Sequence, residues 1–160
     1  MQRITPFLWF DGQAEDAAKF YVAVFKNSKI KQITHYTGEE PAERKGQVMT
    51  VDFVLDGEEF VALNGGPQFK FTEAISFVIN CDTQEEIDYY WEKLTADGGE
   101  EVQCGWLADK YGLSWQVVPN KWDEWGKDPA GMQRLMHALM QMKKINLAAL
   151  ERAYEQRDVL

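Results

Sequence analysis

The chain has little histidine, cysteine or basic charge, and each shortage narrows what it can do. Of its 160 residues only two are histidine, His35 and His137. A zinc site rich in His, or an iron site of two His and one carboxylate, draws such residues from several convergent strands. His35 lies in a polar, alternating segment and His137 in a late helix, so each reads as a surface or packing residue. Cys81 and Cys104 have no CxxC spacing and read as buried or half-buried thiols. Lys and Arg total 17 against 26 Asp and Glu, a net charge of -9. With no basic patch or arm, phosphates would be repelled and nucleic acid is excluded as a partner. No apolar run approaches the ~20 residues that span a bilayer, so no membrane partner is expected. The start, Met1-Gln2-Arg3-Ile4, shows no signal-peptide core, so the expected compartment is the cytoplasm. What is present is 45% hydrophobic and 13% aromatic residues, enough for one packed domain or two small modules.

Periodicity gives the elements. Ile4 to Phe10 reads as a strand with Phe7 and Trp9 on one face and Pro6, Leu8 and Phe10 on the other. A helix over 13–26 carries the stripe Ala14, Ala17, Ala18, Tyr21, Val24 and Phe25. A weaker strand covers Ser28 to Tyr36, and the polar stretch 37–46 reads as an exposed connector or a lid. Val48 to Leu55 alternates, with Met49, Val51, Phe53 and Leu55 opposite Thr50, Asp52 and Val54. Asp56-Gly57 then turns the chain into a partner strand, Glu59 to Asn64. The plan recurs. Ile75, Phe77 and Ile79 alternate in a strand, and Thr83 with Glu86 forms a capping box. The helix it opens runs over 83–96 with Ile87, Tyr90, Trp91 and Leu94, and Glu101 to Leu107 pairs with Leu113 to Val118. Strand, helix and a run of strands thus occur twice, each copy about sixty residues long. After Asp128-Pro129, an expected helix start, Met132, Leu135, Met136, Leu139 and Met140 follow helical spacing. Asn146 starts a further helix with Leu147, Leu150 and Tyr154.

The stretch Asp109-Lys110-Tyr111-Gly112-Leu113-Ser114-Trp115-Gln116-Val117-Val118-Pro119 is a glycine turn running into a strand. It resembles the last strand of the vicinal oxygen chelate superfamily, whose members include glyoxalase I, extradiol dioxygenases and bleomycin-resistance proteins. Ile4-Thr5-Pro6-Phe7-Leu8-Trp9-Phe10-Asp11-Gly12-Gln13-Ala14, Phe20-Tyr21 and the tail around Gln141-Met142-Lys143-Lys144-Ile145 resemble its PhnB-like branch. That branch also carries the label demethylubiquinone methyltransferase-like. The resemblance implies an α+β fold of two βαβββ modules curling into a cup, with a C-terminal helical tail and a homodimer as the usual assembly. The bounds expected are 1–66 and 67–127 for the modules and 128–160 for the tail, in one structural domain.

In metal-using members of the superfamily a Glu on this last strand binds the ion, and Gln116 stands there instead. Matched by strand and parity, the four family ligand positions are Pro6, Ala62, Ser76 (or Ala74 with a slip in register) and Gln116. Two cannot ligate through a side chain and two are weak neutral donors, so no metal and no other cofactor is expected. No strand followed by a glycine-rich turn and helix is present to hold S-adenosylmethionine, since Pro67 follows Gly65-Gly66 and opens no helix. Parity places Thr50, Asp52, Asn64, Ser76, Ser114 and Gln116 inward among Leu8, Phe10, Val54, Phe60 and Val118. Apolar walls with a few convergent polar groups describe a small-molecule site, and equally a solvated groove. Asp52 is the one carboxylate of the set and the one candidate general base. Three functions stay open: a metal-free module binding an unknown small molecule, an isomerase- or lyase-type enzyme using Asp52, and an interaction protein acting through its Met-rich tail. The tail's apolar stripe is expected to cover an outer sheet face or to meet a second subunit.

Overall fold

The structure is a computed structural model, and it describes residues 2–39 and 41–156. The chain divides into two compact units, residues 1–71 and 72–160. In the first, β1 (Phe7–Phe10), α1 (Ala14–Val24), β2 (Lys29–His35), β3 (Val48–Leu55) and β4 (Glu58–Asn64) follow in order. The sheet order is β1-β4-β3-β2, with β1 parallel to β4 and the other pairs antiparallel. Asp56 and Gly57 both take positive φ, 46° and 86°. This is the primed two-residue turn whose twist suits a hairpin, and it fixes Leu55 opposite Glu58 and Asp52 opposite Val61. One face of the sheet is closed by α1, whose Ala17, Ala18 and Tyr21 are fully buried. Tyr21 stacks on Phe53 and Phe53 on Phe60. Small alanines let the helix approach the sheet, and the rings fill the gap. Residues 67–71 group with this unit because Phe69 edges onto Trp9 and Phe71 onto Phe10.

The second unit repeats the topology: β5 (Ser76–Cys81), α2 (Gln84–Thr95), β6 (Glu100–Glu101), β7 (Trp106–Ala108) and β8 (Ser114–Pro119), in the order β5-β8-β7-β6. Here too the first and last strands are parallel. Thr83 caps α2, its hydroxyl accepting from the Glu86 N–H at 3.2 Å, while the Glu86 carboxylate accepts from the Asp82 N–H at 3.1 Å. Ile87, Tyr90, Trp91 and Leu94 bury the face of α2 that meets the sheet. Burying each is worth about 1.5–3 kcal/mol. The single strand expected over 101–107 is two strands. Cys104 and Gly105 both take positive φ and break it, and the Cys104 and Gly105 N–H groups bond instead to the carbonyls of Met142 and Lys143.

That exchange ties the tail into the second unit. A short helix α3 (Trp122–Trp125), which periodicity does not reveal, precedes α4 (Pro129–Leu139) and α5 (Leu147–Glu155). Asn146 caps α5 through the Ala149 N–H, but Asp128 stands at the start of α4 without a side-chain cap bond. Leu135, Leu139, Ile145 and Leu150 are buried. The expected apolar stripe is therefore divided: its leucines belong to the unit's own core, while Met136 and Met140 remain exposed. No helix among the described residues is long and apolar enough to cross a membrane.

Candidate functional site

The site in the second unit is built from β8 outward. Asp109, only 3% exposed, organises the turn that launches the strand. Its Oδ1 accepts from the Tyr111 and Leu113 N–H groups at 2.8 and 3.1 Å, and its Oδ2 from the Trp115 indole N–H at 2.9 Å. Sequence reading placed this turn but gave Asp109 no role. Trp115 and Val117 then point to α2, so Ser114, Gln116 and Val118 take the opposite face. Gln116 lies opposite Trp106 on β7 and Val78 on β5, and its Nε2 donates to Ser76 Oγ at 3.0 Å. Ser76, Ser114 and Gln116 are thus brought onto one sheet face, as parity requires.

A cleft of about 560 Å³ lies over this face. Its floor is Val78, Trp106, Gln116 and Val118, Trp122 and Cys104 stand at its sides, and Met132, Met136 and Leu139 of α4 form the opposing wall. None of these lining side chains carries a charge. Gln116 Oε1 and the indole N–H groups of Trp106 and Trp122 have no partner among the described residues. The α4 wall escaped sequence reading because the stripe could not say what it faced.

In the first unit the expected inward set is split between two sheet faces. Thr50 and Asp52 lie on the face away from α1, with Phe7, Val61 and Leu63. Leu8, Phe10, Phe60 and Ala62 lie on the α1 face and are buried there. Asn64 sides with them: its Oδ1 accepts from the Ala14 N–H at 2.8 Å, capping α1, and its Nδ2 donates to the Val48 carbonyl at 3.1 Å. Leu8, Phe10 and Asn64 are core and cap residues, not lining, whereas Phe60, though 9% exposed, still borders the pocket that holds Asp52. Ala62, inferred as a family ligand position, has the same parity error: it pairs with Leu8 and Val51 on the α1 face, and Val61 takes the open face. A one-residue slip exchanges the two faces of a strand.

Asp52 borders a smaller pocket of about 280 Å³ with Thr5, Phe7 and Val61. Lys31 and Glu59 line it too, paired at 2.7 Å. Their mutual hydrogen bond lowers the Glu59 pKa and raises that of Lys31, and Asp52 adds a smaller attraction for Lys31. The Asp52 carboxylate has no hydrogen bond among the described residues. The connector 37–46 is tied at its base: the Gly46 N–H donates to the Tyr36 carbonyl, the Tyr36 N–H donates to the Gln47 carbonyl, and Arg44 stands over the Tyr36 ring at 5.6 Å. Gly65 and Gly66 serve Trp9, whose indole donates to the Gly66 carbonyl and whose ring leaves no room for a Cβ on Gly65.

Sequence reading matched Pro6, Ala62, Ser76 and Gln116 to the superfamily's metal positions. These residues do not fit a divalent ion, since none offers a carboxylate, thiolate or imidazole. Among the described residues no three His, Cys, Asp or Glu side chains converge as ligands. Burial pushes the Cys81 thiol up to about 12, helped by Glu86 and Asp82, so it is not a nucleophile at neutral pH.

Comparison with known proteins decides the family. The sequence profile of the family described as 3-demethylubiquinone-9 3-methyltransferase matches residues 2–118. The chain belongs to that family. A PhnB protein from Bacillus cereus, provisionally described as such a methyltransferase, is 37% identical, with a TM-score of 0.65 over 74% of this chain and 99% of that one. A Pseudomonas aeruginosa protein is 20% identical, with a TM-score of 0.62 over 74% and 98%. The fosfomycin resistance protein FosX of Listeria monocytogenes is 16% identical, with a TM-score of 0.52 over 77% and 94%. The last two show shared fold alone. No protein of curated function matches. The PhnB-like assignment and the α+β fold of two βαβββ units with C-terminal helices place the chain in the vicinal oxygen chelate superfamily. The family's name does not by itself supply a methyl-donor site: after Gly65-Gly66-Pro67 the chain runs without a helix to β5.

Proposed function

We propose that this PhnB-like protein binds a small molecule without a metal ion, in the cleft between β5, β7 and β8 and α4. The observation carrying this reading is Gln116. It stands where the resemblance expects a metal-binding Glu, is held by Ser76, and lines an uncharged cleft of about 560 Å³. Small-molecule sites have this character, apolar walls with a few placed polar groups. A divalent ion leaving water needs charged or imidazole donors to offset its dehydration, and an amide beside a hydroxyl offers neither. The test is native mass spectrometry of protein purified from its own cells, followed by calorimetric titration with zinc, nickel and manganese. A retained organic molecule and no metal binding support the reading. Stoichiometric metal lost on Gln116→Ala overturns it.

A second reading rests on Asp52. A carboxylate without a hydrogen bond, beside Lys31 and over Phe7 and Val61, is placed to take a proton from a ligand in the smaller pocket. A turnover found for any substrate and lost on Asp52→Asn would favour an isomerase- or lyase-type enzyme. We further propose a cytoplasmic homodimer. Exposed Ile4, Phe7 and Phe69 on the first unit leave apolar surface for a second copy to cover, and sedimentation velocity tests it.

A further inference from the structure

We infer that the ligand of this cleft is an uncharged planar aromatic or heteroaromatic molecule of about two fused rings, carrying a hydrogen-bonding group that meets Gln116. The inference rests on the proposed binding function and adds the ligand's chemical class. It begins from charge. The chain is rich in charge, with 17 Lys and Arg and 26 Asp and Glu, yet among the described residues no charged side chain lines the cleft. A charged ligand entering it would lose hydration and meet no counter-charge. The pocket in the first unit, with Lys31, Asp52 and Glu59, shows what a charge-binding surface of this chain contains.

The walls favour aromatic rings over aliphatic chains. Met132 and Met136 stand one helical turn apart on α4, facing the strand residues Trp106 and Gln116 across the cleft. Thioether sulfurs are polarisable and attract aromatic rings at their edges, and an unbranched side chain adapts to a flat guest. Trp106 offers an indole surface from the opposite side, and Trp122 is steadied by Trp125 edge-on at 5.3 Å between centroids. Those indole faces also attract cations. The methionines do not add to that attraction, and no carboxylate among the described residues lines the cleft to complete a cationic cage.

Size and polarity complete the description. A cavity of ~150 Å³ holds one benzene ring, so about 560 Å³ accepts two fused rings with a substituent. Gln116 commits one N–H to Ser76 and keeps Oε1 and its other N–H. It can therefore match a ligand that both donates and accepts, such as a lactam or a phenol next to a carbonyl.

Three two-ring probes test this in the intact chain: the neutral lactam 2-quinolone, the cation 1-methylquinolinium and the anion quinoline-2-carboxylate. Binding is followed by calorimetry and by the methyl resonances of Met132 and Met136. The lactam is expected to bind at least about 10-fold more tightly than either ion and to shift both methyl signals. Met136 is 41% exposed, so Met136→Lys folds; it should weaken the lactam about 10-fold or more, while Met136→Leu changes it little. An ion binding more tightly, with the same methionine shifts, would overturn the ligand class and leave the cleft as a binding site. If no probe shifts either methyl signal at millimolar concentration, both the class and the cleft as a binding site fail.

Discussion

Asp109 holds the strand that carries Gln116, and removing its charge should be measurable as lost stability. The carboxylate accepts three hydrogen bonds, from Tyr111 N–H, Leu113 N–H and the Trp115 indole. Leu113 and Trp115 are 1% and 3% exposed, so water cannot replace the lost acceptor for either. Asp109→Ala leaves two buried donors, each costing about 1–3 kcal/mol. The carboxylate's own desolvation is relieved, which brings the net to about 3 kcal/mol, towards the lower half of that sum. In Asp109→Asn, Oδ1 can still serve the two backbone donors, but an NH2 group then faces the Trp115 N–H, for about 1–3 kcal/mol. With a urea slope of about 1–3 kcal/mol/M, the midpoint should fall by roughly 1 M. The control is Trp115→Phe, which removes the donor. Combined with Asp109→Asn it should cost less than the two single changes together, a coupling of about 1 kcal/mol. Far-UV circular dichroism follows the unfolding of all four proteins. An Asp109→Asn midpoint within about 0.2 M of wild type, or strictly additive effects, would refute this account of the turn.

Four further outcomes are expected. Gly105→Ala should destabilise by about 2–4 kcal/mol, through positive φ and because a Cβ meets Ile145 and the Val117 carbonyl. Gly112→Ala, with the same sign of φ but open space, should cost only about 1–2 kcal/mol in the same denaturation assay. Asn64→Ala should cost about 1–2 kcal/mol by uncapping α1, read as faster amide exchange at Ala14 and in the first turn. The tail should loosen in acid. Lys144 and Gln84 hold the Asp88 carboxyl below its ordinary 3.8 by hydrogen bonds, so its stabilisation is present above that value and fades as pH falls through the lower, folded one. Protection of the α5 amides, corrected for the intrinsic pH dependence of exchange, should fall over that range and stay level between pH 5 and 8, and Asp88→Asn should abolish the dependence.

The second unit's site was legible in the sequence because β8 alternates clearly: Leu113, Trp115 and Val117 against Ser114 and Gln116 leave one choice of face. The first unit misleads for a physical reason. In β1 and β4 the runs Phe7-Leu8-Trp9-Phe10 and Phe60-Val61-Ala62-Leu63 are apolar on both faces, so alternation carries no phase. Polarity then misassigned Asn64, whose amide looks like a lining group and is instead the cap of α1. The phase was nevertheless available from the hairpin. Asp56-Gly57 is a two-residue turn, which pairs Leu55 with Glu58, and stepping back along both strands pairs Asp52 with Val61. Paired residues share a face, so Asp52 brings Val61 with it and sends Phe60 and Ala62 to the helix. The parallel partner β1 inherits the same phase, placing Phe7 on the open face and Leu8 against α1. No such arithmetic reaches α4. Its contact with the sheet depends on the bends at Cys104-Gly105 and at Met142-Lys143, which join segments nearly forty residues apart through two backbone hydrogen bonds. A helical stripe specifies that something apolar is covered, and only tertiary pairing of this kind selects the face of β8 that bears Gln116.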